Sequence, residues 1–300
     1  MDIKANNRNF GIDLLRIVCM FMVCSIHIEA VVRDTSRSVV EDWLNCLLRI
    51  MCICAVNCYA LISGYVGVNS KHKCRNLISL WITVAFYSVL FAMITRLVHP
   101  ESITIGEIAK SFFPVLNIKY WYFSSYFALF LFMPLVNEFV QIAEKKQKLC
   151  VLAGVLIVAS GSTLLNALND LWSTNHGYSV VWLLCMYYMG ALLKKHMIKR
   201  RIPWLLVYGI TIITAFGIKV SVQYCNLLKS VLGDAENLLA YTSPLIIISA
   251  VSLFMFFANL NVGKGYIRFI KFVAPLSFSV YLIHYDKQVW GFLTEAINKI

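Results

Sequence analysis

The sequence predicts an all-α protein, a polytopic bundle of membrane-crossing helices. Two observations predict it. Sixty per cent of the 300 residues are hydrophobic and only 14% are charged, with six prolines and a mean hydropathy of +0.72, more apolar surface than a soluble domain needs. The chain also contains nine apolar runs long enough to cross ~30 Å of hydrocarbon, which takes roughly 20 helical residues. They fall near 10–32, 44–66, 77–98, 120–140, 149–169, 178–195, 203–223, 239–259 and 275–297. No repeat, low-complexity tract or long polar loop interrupts them, so residues 1–300 read as a single integral-membrane domain.

The first run is too long for a cleavable signal and no small-residue cleavage site follows "IHIEA", so it reads as a retained span. Lys and Arg in the connecting loops set the orientation, since positive residues close to spans stay cytoplasmic. With the N-terminus inside, the inner segments hold sixteen: Lys4, Arg8, Lys71, Lys73, Arg75, Lys145, Lys146, Lys148, Lys194, Lys195, Lys199, Arg200, Arg201, Lys264, Arg268 and Lys271. The outer loops hold five: Arg33, Arg37, Lys110, Lys119 and Lys229. The formal charge of +12 is therefore accounted for by topology, without nucleic acid. The ten cysteines show no repeated ligand spacing and read as small packing residues, with no metal implied.

Polar residues inside the spans carry the functional signal, because an ionisable group at membrane depth is costly unless it is paired or faces a wet cavity. In "RIVCMFMVCSIHIEA", Arg16 and His27 are eleven residues apart. That spacing is three helical turns plus about 20°, so both occupy one face about 16 Å apart along the axis. Asp13 stands at contact spacing from Arg16. Snorkelling of Arg16 and simple packing of His27 are the competing explanation for either residue alone. Glu29 falls on another face, near the outer interface, and is set aside.

The second run carries Arg49 and ends in "ALISGYV", where Gly64 suits a tight turn or a close helix approach. The loop "NSKHKCRN" clusters Lys71, His72, Lys73 and Arg75, as topology requires and as a phosphate-bearing ligand would require. The fourth run opens with Tyr120, Trp121 and Tyr122, which an interfacial aromatic belt explains, and contains Pro134. In "SFSVYLIHYDK" His284 lies about 15 Å into the last run, followed by Asp286 and Lys287. That run therefore lines a cavity, which His27 could share.

Together "GIDLLRIVCMFMVCSIH", "RIMCICAVNCYALISGYV", the loop with Arg75, "YWYFSSYFALFLFMPLV" and "SFSVYLIH" resemble, in order and spacing, the integral-membrane acyltransferase family 3. The likeness is strongest to its short members without a fused soluble domain, such as the O-acetyltransferase type that modifies enterobacterial common antigen. The resemblance implies an O-acyltransferase of a bacterial inner membrane. It would move an acetyl group from acetyl-CoA to a hydroxyl of a cell-surface carbohydrate or its lipid-linked precursor, with acetyl-CoA as substrate and no separate cofactor.

In that reading His27 is the base, or the carrier of a transient acyl group, and Arg16 grips the donor. Lys71, Lys73 and Arg75 hold its phosphates; Arg49, Trp121 and His284 line the acceptor side. The family commonly has about ten spans and several arginines in the basic loop, so the sequence as it stands lacks the last helix and keeps only Arg75 as the matching arginine. A transporter or flippase for a polysaccharide precursor is the rival, since it would use the same intramembrane charges; a structural subunit is a third. Neither the repeated halves nor the discontinuous helices usual in transporters are evident here.

Overall fold

A computed structural model describes residues 8–33, 38–164, 172–196, 202–232, 235–286, 289–291 and 294–295. Lys4, Arg37, Lys199, Arg200, Arg201 and Lys287 lie outside the described residues. Among the described residues the fold is all-helical, without strands, as the composition predicts. The helices are α1 (Phe10–Arg33), α2 (Val39–Cys52), α3 (Ala55–Gly67), α4 (Cys74–Val98), α5 (Ile105–Ser111), α6 (Trp121–Ile142) and α7 (Lys145–Leu164). They continue with α8 (Val180–Lys195), α9 (Trp204–Tyr224), α10 (Asn226–Leu232), α11 (Pro244–Ala258), α12 (Lys264–Val273) and α13 (Ser277–His284).

Eight helical segments among the described residues are long and apolar enough to cross a membrane, against nine expected. The ninth run, 178–195, is also helical but shorter. It forms α8, only 16 residues long and started by Ser179, whose hydroxyl accepts from the Trp182 amide at 3.2 Å. The second run splits, with α2 ending at Cys52 and α3 resuming at Ala55. The last run also departs from expectation. Helix α12 is short, with Lys264, Arg268 and Lys271 interleaved with exposed Tyr266, Phe269 and Phe272, and it opens the last of the eight segments, Lys264–His284. A 3-10 turn at Ala274–Leu276, containing Pro275, leads into α13, which ends at His284; 289–291 and 294–295 are again helical.

Core packing centres on α3 and α8, both richly buried. Two glycines bring their backbones together: a Cβ on Gly64 would lie 1.8 Å from the Tyr187 carbonyl oxygen, and one on Gly190 would lie 2.1 Å from that of Leu61. Small residues let membrane helices approach closely, where van der Waals packing drives association. Fully buried Asn57 ties the crossing to the neighbouring segment, donating to the Tyr241 carbonyl at 2.8 Å and accepting from Trp182 Nε1 at 2.9 Å. All ten cysteines are free, and no group of metal-ligating side chains forms among the described residues. Helix α1 packs against α2, α3, α11 and α13, and this enclosure brings its polar residues into the interior.

Candidate active site

On α1, Asp13 is buried and accepts from two arginines: Arg16 at 2.6 Å and Arg8 at 2.5 Å. The contact spacing of Asp13 and Arg16 is thus realised as an ion pair. Arg16 keeps part of its side chain accessible and lines a cavity of about 940 Å³. Its backbone carbonyl accepts from the Tyr59 hydroxyl of α3 at 2.7 Å, which locks that turn of α1 to its neighbour.

Three turns further on, His27 lines the same cavity, and here the two histidines meet. His27 Nδ1 lies 2.9 Å from His284 Nε2, and His284 Nδ1 lies 2.8 Å from the Val280 carbonyl oxygen. The hydrogen positions follow from chemistry. A carbonyl can only accept, so His284 carries its hydrogen on Nδ1, and a neutral imidazole then accepts at Nε2. His27 must therefore donate from Nδ1, which leaves its Nε2 as an unprotonated lone pair. Tyr285 and Trp290 flank the His27 ring at 5.4 and 5.8 Å between centroids.

The aromatic residues of α6 serve the interior. Tyr120 is fully buried, and Trp121 and Tyr122 line the cavity with Tyr126, Tyr178, Tyr241 and Tyr281. Trp121 packs on Tyr178 at 4.7 Å and Tyr178 on Tyr241 at 5.0 Å. The Tyr281 hydroxyl is buried, with the Tyr122 and Phe123 amides as its neighbours and no side-chain acceptor among the described residues. An aromatic belt at the membrane surface does not account for this wall. Arg49 also lines the cavity and pairs with Glu236 at 3.2 Å, while Lys219 reaches the same carboxylate at 2.6 Å.

A second cavity, of about 860 Å³, shares His27 and Tyr285 with the first. Its lining includes Ser88, Lys119, Asp286 and Trp290. Asp286 is buried and pairs with Lys119 at 3.1 Å, so a lysine counted among the outer-loop charges is held in an interior ion pair.

The structure therefore gathers Arg16, His27, Arg49 and Trp121 around one cavity and joins His284 to His27 directly. It does not bring Lys71, Lys73 or Arg75 into either lining; all three are exposed, at and just before the start of α4. Glu29, set aside on its helical angle, is buried and lines the larger cavity. Helix α1 is covered on several sides, so a face pointing away from His27 is also interior. Tyr281 and Tyr285 were legible only as apolar positions of a span, since an aromatic hydroxyl facing a cavity has no signature of its own in the pattern.

Residues 9–293 match the family model described as an acyltransferase domain. No curated protein matches the chain, and no solved structure does.

Proposed function

The chain belongs to this acyltransferase family, and from that premise we propose that it is an O-acetyltransferase using acetyl-CoA and a hydroxyl of a carbohydrate or its lipid-linked precursor. It is a multi-pass membrane protein by its apolar helices and family. We place it in a bacterial inner membrane with the basic loops and the N-terminus cytoplasmic, on the distribution of Lys and Arg.

The observation that carries the reading is the contact chain His27–His284–Val280, from which a lone pair on His27 Nε2 follows for neutral rings. Acyl transfer to a hydroxyl needs a base for the attacking oxygen and a donor for the developing oxyanion. In the reaction the acceptor hydroxyl gives its proton to His27 Nε2 as its oxygen bonds to the thioester carbon. The C–S bond then breaks, and the departing sulfur takes the proton back as the free thiol. His284 accepts from Nδ1 throughout, so it holds the ring in the reactive tautomer and supports the imidazolium as it forms. The Tyr281 hydroxyl, one ring away from His284 at 6.1 Å, has no described acceptor to give up before it donates to an oxyanion.

Arg16, steadied by Asp13, supplies a guanidinium for the phosphorylated donor, with Lys71, Lys73 and Arg75 forming an outer basic collar for its phosphates. His284, expected on the acceptor side, supports the base instead, while Arg49 and Trp121 share the cavity of Arg16. A membrane preparation containing the protein, supplied with radiolabelled acetyl-CoA, tests the reading. Label should enter glycolipid or polysaccharide with the wild type and not with His27→Ala. A wild type that transfers no label while driving flux of a lipid-linked sugar would instead establish the transporter.

A further inference from the structure

The two cavities that meet at His27 differ in charge. Among its described lining residues the larger carries three guanidinium groups, Arg16, Arg33 and Arg49, against one carboxylate, Glu29. The partners of two of these, Asp13 and Glu236, are not part of the lining. The smaller is balanced, with Lys110 and Lys119 against Glu107 and Asp286. A cationic lining suits a phosphorylated ligand. A balanced lining offers such a ligand no net attraction and suits an uncharged polar one.

The smaller cavity also holds unspent hydrogen-bonding capacity. Ser88 is fully buried, and its Oγ has no hydrogen-bond partner among the described residues. A buried hydroxyl left unpaired costs free energy, and a ligand that donates or accepts there would remove that cost. Beside it, Lys119 Nζ contacts Asp286 at 3.1 Å and the Ser88 carbonyl at 3.3 Å, so the ammonium is anchored in the wall. Trp290, edge-on to His27 at 5.8 Å, adds a flat apolar face to the same wall.

We propose that the smaller cavity is the acceptor site, taking an uncharged, hydroxyl-bearing compound that reaches His27 from the side opposite the donor. The inference rests on the acyl-transfer reading above. It explains why one histidine borders two cavities: the base must touch the acceptor hydroxyl while the thioester occupies the other side. The step is the one already balanced, in which the acceptor O–H proton passes to His27 Nε2, the O–C bond forms, the C–S bond breaks and the thiol leaves protonated.

The test uses the full chain in membranes, with radiolabelled acetyl-CoA as the probe for donor retention and for transfer into endogenous glycolipid and polysaccharide. Ser88→Phe fills the cavity, Asp286→Asn removes its buried charge, and Trp290→Ala removes its flat wall. Thermal unfolding of each variant is followed alongside. Transfer should fall by about tenfold or more in these variants while donor retention stays within about twofold, the pattern of a lost acceptor interaction. Should Ser88→Phe unfold, the other two variants decide. Wild-type transfer in them would overturn the proposal, and so would donor retention that falls in step with transfer in a stable variant. A wild type that transfers no label anywhere overturns the acyl-transfer reading itself, an outcome distinct from both.

Discussion

His27 and His284 are separated by 257 positions in the chain and joined by a 2.9 Å contact between Nδ1 and Nε2. Because His284 spends its other nitrogen on the Val280 carbonyl, the contact sets which nitrogen of His27 is basic. The two rings therefore act as a unit, and replacing either should be felt at His27 Nε2.

His27→Ala should lower the transfer rate by about 10²–10⁴-fold, the usual contribution of a positioned acid–base group. His284→Ala should lower kcat by about 10–100-fold, the scale found when a residue orienting a histidine is removed, with the KM for acetyl-CoA little changed. Initial rates against donor concentration check both. A His284→Ala protein with wild-type kcat would show that the tautomer is set elsewhere.

Arg16→Ala should act on the donor. Losing a charge-assisted hydrogen bond costs about 1.5–3 kcal/mol, which corresponds to a rise in donor KM of roughly 10–150-fold. Asp13→Asn should raise the same KM by less, because it loosens the ion pair without removing the guanidinium. Single neutralisations of exposed Lys71 or Lys73 should have smaller effects that shrink as salt is added.

Gly64→Ala and Gly190→Ala should each destabilise the protein by about 1–3 kcal/mol, the cost of forcing atoms into a packed interior. The added Cβ would meet backbone carbonyl oxygens, 1.8 and 2.1 Å away, which cannot rotate aside. Loss of folded protein with time at fixed temperature in detergent reads the effect. Gly154→Ala, with nothing within 4 Å of the added carbon, is the control and should be neutral.

The loop before α4 should respond to acid through His72. The neutral ring accepts from Asn137 Nδ2 at 2.8 Å, and Asn137 also donates to the Gly67 carbonyl and accepts from the Tyr187 hydroxyl. Burial lowers the His72 pKa, and the Gly67 carbonyl opposes that in part. With the folded value below the unfolded one, the unfolded chain binds the extra proton first, so stability falls as the pH drops below about 6.5. Thermal unfolding between about pH 5 and 8 should show this slope in the wild type, and His72→Gln, whose amide oxygen does not titrate, should flatten that part of it.

The sequence by itself determined the helical class, nearly all the spans and the stripe that carries Arg16 and His27. It could do so because lipid forces each span to satisfy its backbone internally, which leaves long apolar runs, and because helical periodicity fixes which residues share a face. Asp13 beside Arg16 was legible for the same local reason.

Only the tertiary structure decided what crosses between helices. The meeting of His27 with His284, the burial of Asp286 against Lys119, the interior place of Glu29 and the two cavities all depend on which faces pack together. Span 178–195 is the clearest case. Its composition reads as one more apolar run, and only the fold shows that it is the 16-residue α8, buried by a close crossing with α3 at Gly64 and Gly190. Apolar pattern reports that a helix leaves water, and it is the same for a lipid neighbour as for a protein one. The choice between them is made by shape and by hydrogen bonds between residues far apart in the chain.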